Sequence, residues 1–426
     1  MSSHPSRSRQ VLAAVIGNAL EWYDFVVFGF LTTIISRLFF PAQSEYASLL
    51  LTTATFGVGF FMRPLGAIVL GVFADRQGRK AALQLIIGLM TIAMAMIALA
   101  PTYAAIGIAA PLIIVLARLL QGFATGGEFA SATSFLVEIA PPHQRGFYGS
   151  LQMVGQSLAA LSGALAGALV TRGLAPEQID AWGWRLPFLF GLLIGPVGMW
   201  MRRNLSETDE FLHARANPSE KLSIGTLLAK HRRSVLVSFG LVVSGTITYY
   251  VVLVYMPTFA KTQLNIPLTD AFVAQVVGLL CLTAVIPLFG WLSDRIGRKP
   301  IIVTALFGYL VVLYPLFSWI HANPTLQNLI IMQSILCSMI GMLFGPISTA
   351  LAEQFAPGIR STGLAIAYNF AVMMFGGFAP FIVTWLTKVT GSPIAPVYYI
   401  IGGAAVGLTA AIFLVDRKTT LDHTMP

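Results

Sequence analysis

Gly71-Val-Phe-Ala-Asp75-Arg76-Gln-Gly78-Arg79-Lys80 returns half a chain later as Gly290-Trp-Leu-Ser-Asp294-Arg295-Ile-Gly297-Arg298-Lys299. Each copy follows a long apolar stretch and leads into another, so the chain is two related halves that carry the same charged turn. Asp75 and Asp294 fall near helix C-terminal ends, where the macrodipole disfavours an anion. Each therefore needs an arginine or the N-terminus of another helix beside it. Gly71, Gly78, Gly290 and Gly297 permit a tight turn and close backbone approach. Ordinary solvated loop charges would account for Arg76, Arg79, Arg295 and Arg298, but not for matched Asp, Gly and spacing in both halves. The turns are read as a conformational lock.

The chain is 56% hydrophobic and only 10% charged, against about 25% charged for a soluble domain. One compact core could not hide that much apolar surface. Crossing a bilayer takes about 20 apolar residues per helix, and the sequence divides into twelve such spans, at roughly 11–36, 48–74, 81–101, 110–140, 147–171, 184–202, 232–259, 270–293, 300–320, 327–353, 361–387 and 394–415. These predict an all-α integral membrane protein of two pseudo-symmetric six-helix bundles, residues 1–202 and 232–426, joined by a cytoplasmic linker at 203–231.

The net charge of +9 does not point to nucleic acid, because of how it is distributed. The termini and alternate loops hold 19 of the 26 Lys and Arg residues, while the opposite loops hold five: Arg37, Arg172, Arg185, Lys261 and Lys388. This asymmetry places both termini in the cytoplasm. No secretory signal peptide is evident, and Cys281 and Cys337 both fall in apolar stretches, implying neither a disulfide framework nor a metal site.

A second pairing repeats. Glu138 and Arg145 flank the end of span four, and Glu353 and Arg360 flank the end of span ten at the same separation. Charges at those cytoplasmic ends can meet the repeated turns, so all four join the gating set.

Ionisable groups inside a bilayer are costly, roughly 2.5–3.5 kcal/mol or more at the midplane, and mark function by default. Span one carries Asn18, Glu21 and Asp24 on one broad helical face. Two buried carboxylates a turn apart repel when both are charged, so one is expected to hold a proton. Asp24 is the first candidate for proton coupling, then Glu21 and Glu128, with helix-tying ion pairs to Arg63 or Arg118 as the competing reading. In span four, Arg118, Gln121 and Thr125 share a face. Arg118 is the best candidate for holding an anionic substrate, since guanidinium offers a rigid fork to carboxylate and stays protonated. Arg63, beside Pro64 in span two, is read as either structural or substrate-binding.

No Lys, Arg, Asp or Glu lies deep in a span of the second half. Its polar content is neutral, including Tyr249 and Tyr250 in span seven and Tyr368 and Asn369 in span eleven. Tyr249, Tyr368 and Asn369, with Gln121 and Asn18, complete the expected substrate-binding set. No histidine falls mid-span, and no phosphate loop, zinc spacing or nucleophile–base set appears. An ATP-driven pump or an enzyme is not expected.

Gly-x-x-x-Asp-Arg-x-Gly-Arg-Lys after spans two and eight resembles the signature of the major facilitator superfamily. Finer motifs resemble its metabolite–proton symporter branch: Gly17-Asn18-Ala-Leu-Glu21-Trp-Tyr-Asp24-Phe25, Met62-Arg63-Pro64-Leu-Gly66, Arg118-Leu-Leu-Gln121-Gly122-Phe with Gly127-Glu128, and Trp182-Gly-Trp184-Arg185-Leu-Pro187-Phe. Phe39-Phe40-Pro41-Ala-Gln-Ser-Glu45 and the run Met62 to Gly71 look most like the citrate and tricarballylate members. The resemblance implies a proton-coupled importer of a small organic polyacid. It would sit in a bacterial inner membrane and work by alternating access as a monomer in the lipid bilayer. The alternatives are a symporter of another metabolite such as shikimate or an osmolyte, or a membrane metabolite sensor. The expected coupling ion is the proton, sodium being left open, and no cofactor or metal is expected.

Overall fold

The computed structural model describes residues 7–77, 79–126, 128–192, 230–356 and 359–416. Among them there are helices and no strand. The linker at 203–231 lies almost wholly outside the described residues, as do Gly78 and the side chains of Glu21, Asp75, Arg76, Arg79 and Glu128.

Among the described residues nine helices are long and apolar enough to cross a membrane, and a bent pair, Val15–Phe30 with Thr32–Phe39, makes a tenth. Gln84–Leu99 is a shorter apolar helix at the place of span three, and a helix over 185–192 opens span six. All twelve expected spans thus have a helix. Large apolar side chains face outwards, among them Leu99, Ile108 and Leu169, as suits contact with hydrocarbon rather than water.

Four spans written as continuous in the sequence are broken. Span one turns by 64° at Leu31, where Thr32 Oγ1 donates to Gly29 O at 2.6 Å and competes with the helix for that carbonyl. Span four is Ala109–Ala124 then Glu128–Ile139, interrupted at Thr125-Gly126. Span seven runs Arg232–Thr248 and then widens to a π-turn at Tyr249–Val254. Span eleven does the same at Val372–Gly376, between Arg360–Ala371 and Ala379–Thr390. Such widened turns gather at functional sites, and here the first of them presents Tyr249 and Tyr250 to the interior.

Backbones approach closely where glycines face each other. Without side-chain interdigitation between Gly59 and Arg118, or between Gly122 and Gly59, spans two and four (Glu45–Gln77 and Ala109–Ala124) come together almost main chain to main chain. A Cβ on Gly59 would stand 2.8 Å from Arg118 O. Small residues at helix contacts are how membrane helices gain packing without a hydrophobic driving force. The close approach also sets Arg63 of span two and Arg118 of span four in the same interior region.

The halves meet along spans five and eight (Arg145–Gly173 and Leu268–Ile296) and along spans two and eleven. On the outer side Thr269 Oγ1 donates to Thr171 O at 3.1 Å, and the Phe30 and Phe272 rings meet edge to face. Midway, the Ser157 and Thr283 hydroxyls are 2.7 Å apart. Contacts on the cytoplasmic side, described next, close the other end.

Candidate functional site

The second-half turn makes the cytoplasmic closure. Asp294 accepts hydrogen bonds from the Gly146 and Phe147 backbone N–H groups, at 2.8 and 2.9 Å, at the start of span five in the other half. Arg298 pairs with the same carboxylate at 2.9 Å and with Glu353 at 3.5 Å. Asp294 therefore has both forms of compensation its helix end requires: an arginine and a helix N-terminus. Gly297 has φ of 97°, a backbone conformation that favours glycine, and a Cβ there would stand 2.5 Å from Asp416 Oδ2. That aspartate, just beyond span twelve (Ala395–Ile412), accepts from Lys299 N at 3.0 Å.

The Glu–Arg spacing resolves across the halves. Arg360 Nη1 donates to Glu138 at 2.7 Å, and its Nε donates to Ala352 O at 3.1 Å. Arg145 contributes its backbone, Arg145 O accepting from Thr349 Oγ1 at 2.8 Å. Arg295 does not join the closure: it stacks on Trp291 of its own helix, 3.8 Å from the ring centre. Gly290 lies where span five comes closest, its Cβ position 2.5 Å from Ser150 Cβ.

Deeper in, a small cavity of about 40 Å³ lies between the halves. Trp22, Phe129, Gln156, Tyr249, Tyr250 and Tyr368 are in its wall, drawn from both halves. It has room for a few waters, so the halves are drawn in around their centre. Tyr368 stacks face to face on Phe129 with ring centres 3.7 Å apart.

Arg63 stacks on two residues of this wall, Trp22 and Tyr368, and Arg118 lies behind it on the far side of Phe25. Arg118 is fully buried, and its guanidinium carbon lies 4.8, 4.7 and 4.9 Å from the ring centres of Phe25, Phe28 and Phe56. Nη1 donates to Gln121 Oε1 at 2.7 Å; Nε, Nη2 and the Gln121 Nε2 find no hydrogen-bond partner among the described residues. Arg63 is 2% exposed. It lies between 5.5 and 5.8 Å from the ring centres of Trp22, Phe25, Phe60 and Tyr368, and Nη2 reaches Thr125 O only at 3.5 Å. Its Nε has no partner among the described residues. Aromatic faces offset part of the cost of burying a cation. They do not satisfy its N–H donors, each of which costs about 1–3 kcal/mol when left unmade.

Asp24 is 5% exposed, and its Oδ1 also lacks a partner among the described residues. A Cβ on Gly191 of span six would stand 3.1 Å from that oxygen, so Asp24 points into the first bundle, away from the cavity wall. Among the described residues no carboxylate comes within ion-pair distance of Arg118 or Arg63; the ion pair to Asp24 that competed with a functional role for Arg118 is not formed. Asn18 is engaged with span five: its Nδ2 donates to Gln152 O at 2.9 Å, and Gln152 Nε2 donates back to Asn18 Oδ1 at 3.1 Å. Asn369 Nδ2 donates to Gly126 O at 2.5 Å, another tie between the halves. Tyr249 is buried beside Trp22, Tyr250 and Phe344, with a hydroxyl that has no partner among the described residues.

The sequence reading missed the phenylalanines. Phe56, Phe60 and Arg63 stand at i, i+4 and i+7 on one face of span two, a spacing legible in the chain, yet apolar residues in a membrane helix read first as lipid or core contacts. It also ranked Arg63 below Arg118 as a ligand contact, whereas Arg63 stacks on two residues of the cavity wall, one from each half.

A two-halved bundle of membrane-spanning helices with buried cations and a cavity at the inter-half centre has the architecture of a multi-pass membrane transporter. The chain matches the Sugar (and other) transporter family over residues 10–220 and 201–421, and it belongs to that family. It is a protein of the bacterial inner membrane. It is 38% identical to a citrate-proton symporter of Salmonella typhi, over 98% of this chain and 97% of that protein. It is 37% identical to a citrate-proton symporter of Klebsiella pneumoniae, over 97% and 93%. A glycine betaine/proline/ectoine/pipecolic acid transporter of Dickeya dadantii is 33% identical over 96% of this chain and 83% of its own length. Among solved structures, the crystal structure of a D-xylose-proton symporter superposes with a TM-score of 0.77 at 19% identity, covering 96% of this chain and 97% of that one. That likeness concerns the fold.

Proposed function

We propose that the protein is a proton-coupled secondary active importer of a small organic polyacid (citrate, tricarballylate or a related di- or tricarboxylate) that works by alternating access. The observation that carries this reading is Arg118: a guanidinium fully buried at the inter-half centre, held by three phenylalanine rings, with two N–H-bearing nitrogens lacking partners among the described residues. An anionic oxygen ligand is what such donors are built to take. The identity to the two citrate-proton symporters supports the same class.

In this reading residues 1–202 and 232–426 rock as two bodies about the centre, with 203–231 as their linker. The protein works as a monomer in the lipid bilayer without a cofactor. Asp24 carries the coupling proton, since a buried carboxyl with no ion pair among the described residues can take up and release one, and Glu21 and Glu128 are the further candidates. The substrate anion binds Arg118, Arg63 and Gln121 from the first half and meets Tyr249 and Tyr368 from the second. Asn18 and Asn369, already engaged, hold the wall of the site.

The relative that carries betaine suggests a zwitterion instead. A ring of aromatics is the usual seat for a quaternary ammonium, but here the Phe25, Phe28 and Phe56 rings already surround the Arg118 guanidinium. Proteoliposomes containing the purified protein should accumulate labelled citrate or tricarballylate under an inward proton gradient and lose it when the gradient is collapsed. Uptake of betaine with no uptake of any polyacid would overturn the proposal.

A further inference from the structure

The buried atoms without hydrogen-bond partners among the described residues include acceptors, such as Asp24 Oδ1 and Asn369 Oδ1, and a group of donors. At the inter-half centre the atoms without partners include Arg118 Nε and Nη2, Gln121 Nε2, Arg63 Nε and the Tyr250 hydroxyl. All can donate, and they come from spans two, four and seven. The two guanidinium groups share one ring: Arg63 is 5.8 Å and Arg118 4.8 Å from the centre of Phe25. Phe60 lies 5.5 Å from Arg63, and Phe56 lies 4.9 Å from Arg118. The Tyr250 ring packs edge to face on both of these phenylalanines, at 5.8 Å from Phe56 and 5.4 Å from Phe60. Tyr250 is thus a residue of the second half that reaches the aromatic supports of both cations. It is 2% exposed and sits in the π-turn that follows Arg232–Thr248 in span seven.

We propose that Arg63, Arg118 and Tyr250 form one receptor for a pair of carboxylates, one on each guanidinium, with the Tyr250 hydroxyl donating to the bound dianion from the opposite half. The inference rests on the polyacid reading and sharpens it. Two cations around one ring, with no carboxylate at ion-pair distance among the described residues, suit two anionic groups, and a monocarboxylate or zwitterion matches only one guanidinium. Tyr250 makes full binding depend on both halves, which makes it a specificity-determining residue of the second half.

The test is ligand-induced thermal stabilisation of the purified full chain by citrate, succinate, succinate monomethyl ester and acetate. Citrate and succinate should stabilise it; the monoester and acetate should do so at least about tenfold less potently, as expected for a lost hydrogen-bonded charge. Tyr250→Phe keeps the ring on Phe56 and Phe60 and should weaken citrate binding about tenfold. Arg63→Lys should weaken it at least as much and narrow the gap between succinate and its monoester. If citrate stabilises wild type, Tyr250→Phe and Arg63→Lys equally, the receptor is wrong while the importer stands. The same holds if succinate and its monoester bind wild type alike, a comparison that needs no variant to fold. If no di- or tricarboxylate binds wild type while betaine does, the polyacid reading itself fails.

Discussion

Arg360 of span eleven donates from Nη1 to Glu138 of span four at 2.7 Å, so an arginine of the second half closes on a glutamate of the first. The chain shows the same Glu–Arg spacing twice, once in each half, but Glu138 finds its arginine across the divide, while Glu353 pairs with Arg298 of its own half. With the Asp294 contacts to Gly146 and Phe147, this puts charged ties on the cytoplasmic face, where they must break before that side can open.

Neutralising those ties should loosen the cytoplasmic side. Asp294 has two backbone donors and Arg298, and a hydrogen bond to a charged group contributes about 1.5–3 kcal/mol. Asp294→Asn is expected to raise the population open to the cytoplasm more than about tenfold, and Glu138→Gln by less, since Glu138 is partly solvated. Alkylation of a cysteine at buried Ser348, in a background lacking Cys281 and Cys337, reads that population. Unchanged alkylation in both variants would remove the gating role.

Arg118→Lys keeps the charge but loses the planar fork and its fit among Phe25, Phe28 and Phe56. Uptake of citrate should fall by about a hundredfold or more, the loss of a paired charge-assisted contact. Initial rates in proteoliposomes, at matched protein content, check it; near-normal uptake would remove Arg118 from the substrate site.

Asp24→Asn removes the titratable group without changing its shape. Uphill accumulation driven by a proton gradient should disappear, while exchange of internal for external substrate survives. Retained accumulation would move the coupling role to Glu21 or Glu128.

Gly122→Ala tests the close approach that sets Arg63 near Arg118. A Cβ there runs into the Gly59 carbonyl, and a backbone cannot give way as a side-chain tip can. Overpacking of this kind costs about 1–3 kcal/mol, visible as a lower melting temperature in detergent. Gly88→Ala, where a Cβ meets nothing within 4 Å, is the control and should leave it unchanged.

Gly167→Leu should separate substrate binding from transport. A Cβ at Gly167 stands 2.6 Å from the Phe272 ring on the outer side, so a larger side chain would wedge that side open. Citrate should still stabilise the variant in thermal shift, while net transport is lost. Normal transport would show that the Gly167–Phe272 contact need not close during the cycle.

Span number, orientation, the repeated turns and the list of deep ionisable residues were all legible in the chain. They depend on local quantities: about 20 apolar residues to cross hydrocarbon, the bias of Lys and Arg to one side, and the cost of burying any charge. Membership of a twelve-span transporter family was readable for the same reason. The tertiary structure alone decided which groups meet. Glu138 finds Arg360 rather than a neighbour in its own half, Asn18 is taken by Gln152, Asp24 turns into the first bundle, and Arg63 and Arg118 converge on the Phe25 ring, with Tyr250 packed on Phe56 and Phe60 beside it. Partner choice among buried groups depends on helix rotation, on glycine contacts such as Gly59 with Gly122, and on breaks such as the π-turn at Tyr249. Those bring together residues far apart in the chain, which no local pattern encodes.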